Sequence, residues 1–141
     1  MFPVIDQTVQ YRGPAADFAS LTGSPFWGFG VDEVIRRFVA AGWTEQQRKR
    51  LSTPYGLSPL VVHFTNDAGR SILWIPSYGE VVGEDSLYHL NFEKVFWVLW
   101  QAGVKVLIVG GTSGIADPRP GEEAVRPGDV VLPWSFRTRP V

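Results

Sequence analysis

The residues best suited to bind a ligand form one glycine-rich segment, Gly110-Gly111-Thr112-Ser113-Gly114. It directly follows a β-branched apolar run at 104–109, which predicts a central strand covered on both faces. In open α/β sheets, ligands bind beyond the carboxyl ends of strands, where glycines let backbone amides approach an anion. The segment matches neither the Walker loop nor the dinucleotide fingerprint. It predicts either a ligand-binding loop with two hydroxyl donors or a plain glycine-rich turn.

The composition excludes several kinds of site. The chain of 141 residues has no cysteine, which excludes disulfides and thiolate metal centres, and its two histidines, His63 and His89, are too few for a multi-histidine metal site. With 13 basic and 14 acidic residues and a net charge of −1, binding to nucleic acid or an anionic membrane is not expected. The longest apolar stretch, at 95–100, is much shorter than the roughly 20 residues of a spanning helix, and no secretory signal is evident, so we expect a cytoplasmic protein.

Other polar residues are expected to have structural roles. His63, in the middle of a predicted strand, should be a satisfied structural histidine, and His89, near a predicted helix start, an exposed one. The Arg48-Lys49-Arg50 cluster predicts a solvated helix end rather than a phosphate site. Asp129 follows Pro-Gly and should bind backbone in a turn rather than act as a base.

The pattern of apolar residues predicts an α/β fold with a mixed central sheet flanked by helices. Residues 1–50 are predicted to form a divergent N-terminal segment, irregular to about residue 30, with one short helix, and residues 51–141 a partial α/β domain. The predicted elements are a helix at 31–41, strands at 58–65 and 70–76 around a turn at 66–69, a helix at 87–102, the strand at 104–109, and a strand at 130–136 after a turn at 126–129.

The two predicted helices differ in their apolar surfaces. The first is amphipathic, with an apolar face of Val34, Ile35, Phe38 and Val39. The second has a predicted inward face of Leu90, Phe92, Val95, Phe96 and Leu99, but Trp97, Val98 and Trp100 make it apolar nearly all round. Such a helix is expected to pack on the sheet with one side and on another subunit with the other.

Four motifs follow one another between residues 53 and 139. They are Thr53-Pro54-Tyr55-Gly56 before the hairpin, Asn91-Phe92 in a helix that stops at Gly103, the strand and glycine-rich loop at 106–114, and Arg126-Pro127-Gly128-Asp129-Val130-Val131. This ordered set resembles the middle of the purine nucleoside phosphorylase superfamily and is most similar to its methylthioadenosine phosphorylase branch. The resemblance implies a phosphorylase/hydrolase-like fold that is incomplete relative to the family.

The resemblance also implies an activity and a set of ligands. The activity is phosphorolysis of the N-glycosidic bond of a purine nucleoside such as methylthioadenosine, with phosphate as co-substrate and no metal or organic cofactor. Gly111 and Thr112 match the family's phosphate-contacting positions, and Thr112, Ser113 and Gly114 match the wall beside the nucleoside. Because the sugar becomes cation-like in the transition state, such a site holds a phosphate dianion beneath it.

Two departures from the family pattern bear on this expectation. Ser77-Tyr78-Gly79 stands where the family has a phosphate-binding Arg-His-Gly, so Ser77 and Tyr78 become the expected phosphate ligands, with neutral hydroxyls in place of a cation and an imidazole. In addition, no opening strand with the family's Gly-Gly-Thr/Ser-Gly loop is visible in residues 1–50, and the family's purine pocket comes from a C-terminal half that this sequence does not contain.

Three alternatives remain open. The first is a nucleoside phosphorylase-like protein, either a fragment, a degenerate relative or a subunit completed by a chain that carries the purine pocket, in a homo- or hetero-oligomer of the trimer type. The second is a non-catalytic assembly or regulatory subunit that retains the scaffold. The third is a nucleotide-binding α/β module of unrelated chemistry.

Overall fold

The computed structural model describes residues 5–23, 28–79, 88–110, 126 and 129–131, with the backbone alone for 88–91. Its elements are β1 (Phe18–Thr22), α1 (Val31–Ala40), β2 (Trp43–Thr53), β3 (Gly56–Asn66), β4 (Ser71–Pro76), α2 (Tyr88–Gln101) and β5 (Val106–Gly110). The predicted α/β class, both helices and the central hairpin are confirmed.

The strands form one mixed sheet in the order β2-β3-β4-β1-β5. β1 is parallel to both β4 and β5, whereas β3 is antiparallel to β2 and β4. In this register Thr22 lies opposite Pro76 on one side and Gly110 on the other. The carboxyl ends of three parallel strands therefore meet at one edge of the sheet.

The expectation of irregular chain to residue 30 is wrong for β1, which lies between β4 and β5. Its buried residues, Ala19 and Leu21, alternate with half-buried Phe18, Ser20 and Thr22. With two small hydroxyl residues and one alanine, this five-residue strand has too little apolar pattern to be recognised alone. Its position in the sheet, rather than its own hydrophobicity, buries it.

The basic cluster at 48–50 lies in β2, which within the described part of the chain is an edge strand, so the prediction of a helix end there is wrong. Only Leu51 and Thr53 of this strand are buried, and apart from half-buried Trp43 at its start the rest alternates between half-buried and exposed polar residues. Because few of its side chains are buried, this strand lacks the alternation of apolar and polar residues by which strands are recognised in a sequence. Arg48 forms ion pairs with Glu45 at 2.8 Å and with Asp32 of α1 at 3.0 Å. Charged side chains of this kind also discourage further strand pairing at a sheet edge.

The hairpin of β3 and β4 forms around the predicted turn residues. Gly69 has a φ of 71°, and its N–H donates to the carbonyl of Asn66 at 2.9 Å. The Asn66 side chain accepts a second bond from the Arg70 N–H at 3.0 Å. Glycine is suited to this position because a side chain is strained at positive φ.

Helix α1 covers one face of the sheet. Its buried residue, Ile35, joins a core of Leu60, Val62, Phe64, Ile72 and Trp74. Phe38 stacks on Phe64 with ring centroids 4.4 Å apart. The predicted apolar face is confirmed except at Val39, which is 53% exposed.

Helix α2 covers the opposite face, which gives three layers. Its buried stripe is Val95, Val98, Leu99 and Ala102, and these residues pack with Ala19, Leu21, Leu51, Val61, Leu73 and Ile75. Two predicted side-chain positions are wrong: Phe96 is 53% exposed, and Val98 is buried. The observed i, i+3, i+4, i+7 spacing is that of a single helical face.

Helix α2 stops where predicted, at Gly103, which has a φ of 78°. The Gly103 N–H donates to the Trp100 carbonyl, and the Val104 N–H donates to the Leu99 carbonyl, both at 3.1 Å. This pair of bonds is a Schellman motif, which satisfies carbonyls that the helix leaves without partners. Among the described residues, no helix is long and apolar enough to cross a membrane.

The predicted environment of the strand at 104–109 differs from the observed one. Within the described part of the chain, β5 is at the edge of the sheet, and all its residues are exposed. At the predicted turn, the Asp129 N–H donates to the Arg126 carbonyl at 3.1 Å and the Asp129 carboxylate accepts the Arg126 N–H at 2.7 Å, so Asp129 binds backbone as expected, while residues 127–128 lie outside the described part. Val130 and Val131 are exposed and not in a strand, and the remainder of the predicted strand lies outside the described residues.

Candidate functional site

The topology places the carboxyl ends of two adjacent parallel strands, β1 and β4, side by side. β1 is followed by α1 on one face of the sheet, and β4 is followed by α2 on the opposite face. Because the helices that follow these strands lie on opposite faces of the sheet, the carboxyl ends of β1 and β4 form a topological switch point, the place where ligands bind in open α/β sheets. We call this edge of the sheet the switch-point crevice: Thr22 and Gly23 lie at the end of β1, and Pro76, Ser77 and Tyr78 at the end of β4.

Ser77 ties the two sides of the crevice together. Its backbone N–H donates to the Thr22 carbonyl at 3.0 Å, and its hydroxyl donates to the same oxygen at 3.1 Å. The side chain is 5% exposed. In this arrangement the single hydroxyl proton of Ser77 is directed to the protein backbone, which makes Ser77 a positioning residue in the observed state.

Thr22 is the residue of this crevice that the sequence did not reveal. Its Oγ1 accepts a hydrogen bond from the indole Nε1–H of buried Trp74 at 3.1 Å. Among the described residues no acceptor takes the proton of this half-buried hydroxyl, so it can donate to a ligand. Only the strand register places Thr22 beside Ser77, since 55 residues separate them in sequence.

Tyr78 forms an aromatic wall at the same end of the sheet. Its ring meets Phe92 of α2 edge to face, with centroids 6.5 Å apart. The next residue, Gly79, has a φ of 90°, and its N–H donates to the Pro76 carbonyl at 3.0 Å, which closes a tight turn. Ser77 and Tyr78, predicted from sequence as a pair, are thus both at the carboxyl edge.

Gly110 brings the third strand to this edge, opposite Thr22. A Cβ at Gly110 would meet the Leu21 carbonyl oxygen at 3.7 Å, an ordinary contact, so packing does not require glycine here. Gly111, Thr112, Ser113 and Gly114 lie outside the described residues. The strand that leads into this predicted loop does end beside the crevice.

His63 has the structural role expected from the sequence. Its Nε2 lies 2.7 Å from the Ser71 hydroxyl, which itself donates to the Ala15 carbonyl at 3.1 Å. Because Ser71 has one proton to donate, His63 donates through Nε2–H. Burial lowers the pKa of His63, which favours the neutral ring. The His89 side chain lies outside the described part.

The described residues of the crevice carry no charged side chain; Thr22, Ser77 and Tyr78 supply hydroxyls. Within the described ranges there is also no group of three or more histidine, aspartate or glutamate side chains that could hold a metal. The Thr22 hydroxyl can therefore offer a neutral donor, and the Tyr78 ring offers an aromatic surface. These groups suit a hydroxyl-rich ligand with a planar ring.

Comparison with known proteins does not extend this description, since no family model matches the chain and no curated protein matches its sequence.

Proposed function

We propose that the protein is a nucleoside phosphorylase-like protein. Its reaction would be phosphorolysis of the N-glycosidic bond of a purine nucleoside such as methylthioadenosine, with phosphate as the attacking group. A second half or partner chain would complete the purine pocket. The observation that carries the proposal is the convergence of Thr22, Ser77-Tyr78 and Gly110 at a topological switch point.

The chemistry needs an anion held under a sugar that develops positive charge. The Thr22 hydroxyl has a proton to donate, and β5, the strand that precedes residues 111–114 in sequence, ends at the same edge. Gly111 and Thr112 would contact phosphate, and Thr112, Ser113 and Gly114 would contact the nucleoside. Ser77 would hold Thr22 in place, or would turn its hydroxyl from the Thr22 carbonyl to phosphate.

Because Ser77 and Tyr78 are uncharged, we expect a low affinity for phosphate. Loss of a charge-assisted contact with a cationic side chain costs about 1.5–3 kcal/mol of phosphate affinity, because a hydroxyl donates a hydrogen bond to the anion without the attraction between opposite charges. Replacing a cationic donor by a hydroxyl therefore weakens phosphate binding. We expect the reaction to saturate only at high phosphate concentration.

The test follows the release of free purine from methylthioadenosine and from inosine across a wide range of phosphate concentrations.

A second readout is the NMR signal of the Trp74 indole N–H, because that group donates to Thr22. Thr22→Val, which removes only the hydroxyl, should abolish the ligand-induced shift of this signal, whereas Thr44→Val, at an exposed position of β2, should preserve it. If nucleoside and phosphate together leave the Trp74 signal unchanged in the wild-type protein, the proposal is wrong even where a missing half prevents turnover.

A second candidate function, a non-catalytic assembly or regulatory subunit, is favoured by the outer surface of α2. Trp100 is 76% exposed and lies with Phe96 along a groove that Tyr55 and Phe92 also line. Large exposed aromatic surfaces mark protein–protein contacts. The occupant proposed here is a second copy of this chain, in an oligomer of the trimer type.

Light scattering after size exclusion tests this second candidate. Trp100→Glu should convert the oligomer to a monomer, whereas Val39→Glu, at a similarly exposed apolar position on α1, should leave it intact. A wild-type protein that is monomeric at high concentration would exclude self-assembly through α2. The partner that contacts α2 would then be a different, complementary chain rather than a second copy of this one.

A further inference from the structure

Trp74 lies in the core, but its polar atom reaches the switch-point crevice. The side chain is fully buried in the core under α1, and its indole Nε1–H donates to Thr22 Oγ1 at 3.1 Å. In the parallel register Trp74 is opposite Ser20, which is on the same face of β1 as Thr22 and two residues before it. This hydrogen bond therefore links a core side chain to the carboxyl edge of the sheet.

The indole N–H determines how the Thr22 hydroxyl can be used. An indole is a donor only, so Thr22 Oγ1 must present a lone pair to it and the hydroxyl proton is excluded from that direction. Within the described part of the chain, no acceptor takes this proton. A hydroxyl that already accepts one hydrogen bond is polarised and donates more strongly. Trp74 therefore makes the Thr22 hydroxyl a directed donor.

Both partners of this hydrogen bond are held in place by other contacts. The Thr22 carbonyl accepts the backbone N–H of Ser77 at 3.0 Å and the Ser77 hydroxyl at 3.1 Å. The Trp74 ring is surrounded by the core that also contains Ile35 and Phe64. A donor whose supporting side chain is locked by packing is preorganised, so little conformational freedom is lost when a ligand binds.

We propose that Trp74 is a positioning residue of the switch-point crevice, which acts through Thr22 on a hydrogen-bond acceptor of the ligand, here a phosphate oxygen. This inference rests on the proposed function, because phosphate is the anion of that reaction. It assigns to a buried tryptophan an effect on ligand affinity that is separate from its packing in the core.

The experiment is a double-mutant cycle on the whole chain. The Kd of inorganic phosphate, in the presence of methylthioadenosine, is measured by calorimetry for the wild type, Thr22→Val, Trp74→Phe and the double variant. Thr22→Val should weaken binding about tenfold, and Trp74→Phe about two- to fivefold. In the Thr22→Val background, Trp74→Phe should have no further effect, because the hydroxyl through which it acts is absent.

The outcomes of the cycle separate this inference from the proposed function. If the two substitutions weaken binding independently, Trp74 acts through packing and the inference is wrong, although the proposed function stands. If phosphate and methylthioadenosine do not bind to the wild-type protein, both are wrong.

The matched control is Trp43→Phe. Trp43, at the start of β2, packs against the same core but is three strand positions from β1. Its substitution removes an indole from that core without touching Thr22 and should leave the Kd of phosphate unchanged. An equal loss of affinity in Trp43→Phe and Trp74→Phe would contradict the inference.

Two further measurements remove the effect of lost volume in the core. Incorporation of 3-benzothienylalanine at position 74 keeps the shape of the ring and replaces the N–H by sulfur, and it should weaken phosphate binding as Trp74→Phe does. Without ligand, three-bond NMR couplings should show one χ1 rotamer of Thr22 in the wild type and averaging in the substituted protein. Unchanged affinity, or a single rotamer in both proteins, would overturn the proposal.

Discussion

The two helices cover opposite faces of one sheet but have different outer surfaces. On α1 the outer surface is charged: Glu33 forms ion pairs with Arg36 at 2.7 Å and with Arg37 at 2.9 Å. On α2 the outer surface includes the exposed aromatic residues Phe96 and Trp100. Each helix buries one stripe of apolar side chains against the sheet. The apolar side chains of α2 outside that stripe are therefore not needed to cover the sheet. On α2, the buried stripe stabilises the fold, whereas Phe96 and Trp100 are available for contact with another chain.

The largest expected effect is in the buried stripe of α2. Val98→Asp places a carboxylate in a fully buried position and should lower the free energy of unfolding by about 4 kcal/mol or more, enough to prevent folding of a marginal domain. Val39→Asp on α1, where the side chain is exposed, should change it by less than about 0.5 kcal/mol. Urea denaturation measures both. Similar values for the two variants would mean that the helices are not oriented as described.

The next effect concerns the apolar face of α1. Phe38→Ala removes the ring that stacks on buried Phe64 and should cost about 2–3 kcal/mol, at or below the usual range for a fully buried phenylalanine because Phe38 is only half-buried. Val39→Ala, the next residue in the same helix, serves as the control. A cost below about 1 kcal/mol for Phe38→Ala would show that α1 contributes little to the core.

A smaller loss of stability, equal at the two positions, is expected where the two helices end. Gly42 after α1 and Gly103 after α2 have φ values of 85° and 78°, and a Cβ at either position would have no atom within 4 Å. Substitution by alanine should therefore cost only the backbone strain, about 1–2 kcal/mol at each site. Thermal unfolding of the two variants tests this equality. A much larger cost at Gly103 would indicate a packing role that its open surroundings do not suggest.

The smallest effect depends on pH and is confined to α1. The hydrogen bond from Arg37, followed by the charge of Arg36, lowers the pKa of Glu33 from its ordinary value of 4.5. A carboxyl whose pKa is lower in the folded state stabilises the protein above the unfolded value and loses that contribution as pH falls through the folded value. The protection of α1 amides against exchange, relative to the intrinsic rate at each pH, should therefore decrease slightly below about pH 4.5, and Glu33→Gln should remove this pH dependence. Exchange in α2 is the internal reference.

The sequence predicted those elements whose own residues carry a periodic apolar pattern. Helix α1 shows it at Ile35 and Phe38, and the hairpin shows it on both sides of a turn at 66–69. β1 and β2 lack the pattern, because β1 is short and built of small residues and β2 is a polar edge strand. For the candidate site, Ser77 and Tyr78 were predicted from a motif. Thr22 was missed, since nothing local marks a single threonine before a glycine.

The order of residues alone determined the class of the fold, the two helices, the hairpin and the positions where the chain turns, because these depend on contacts within a few residues. Tertiary structure decided which residues became neighbours across long stretches of chain. The Thr22 carbonyl accepts the Ser77 hydroxyl only because β1 and β4 pair in parallel, and Arg12 meets Lys49 only because the N-terminal segment lies along β2. The switch-point crevice arises from such a pairing, and no local pattern of side chains contains its geometry.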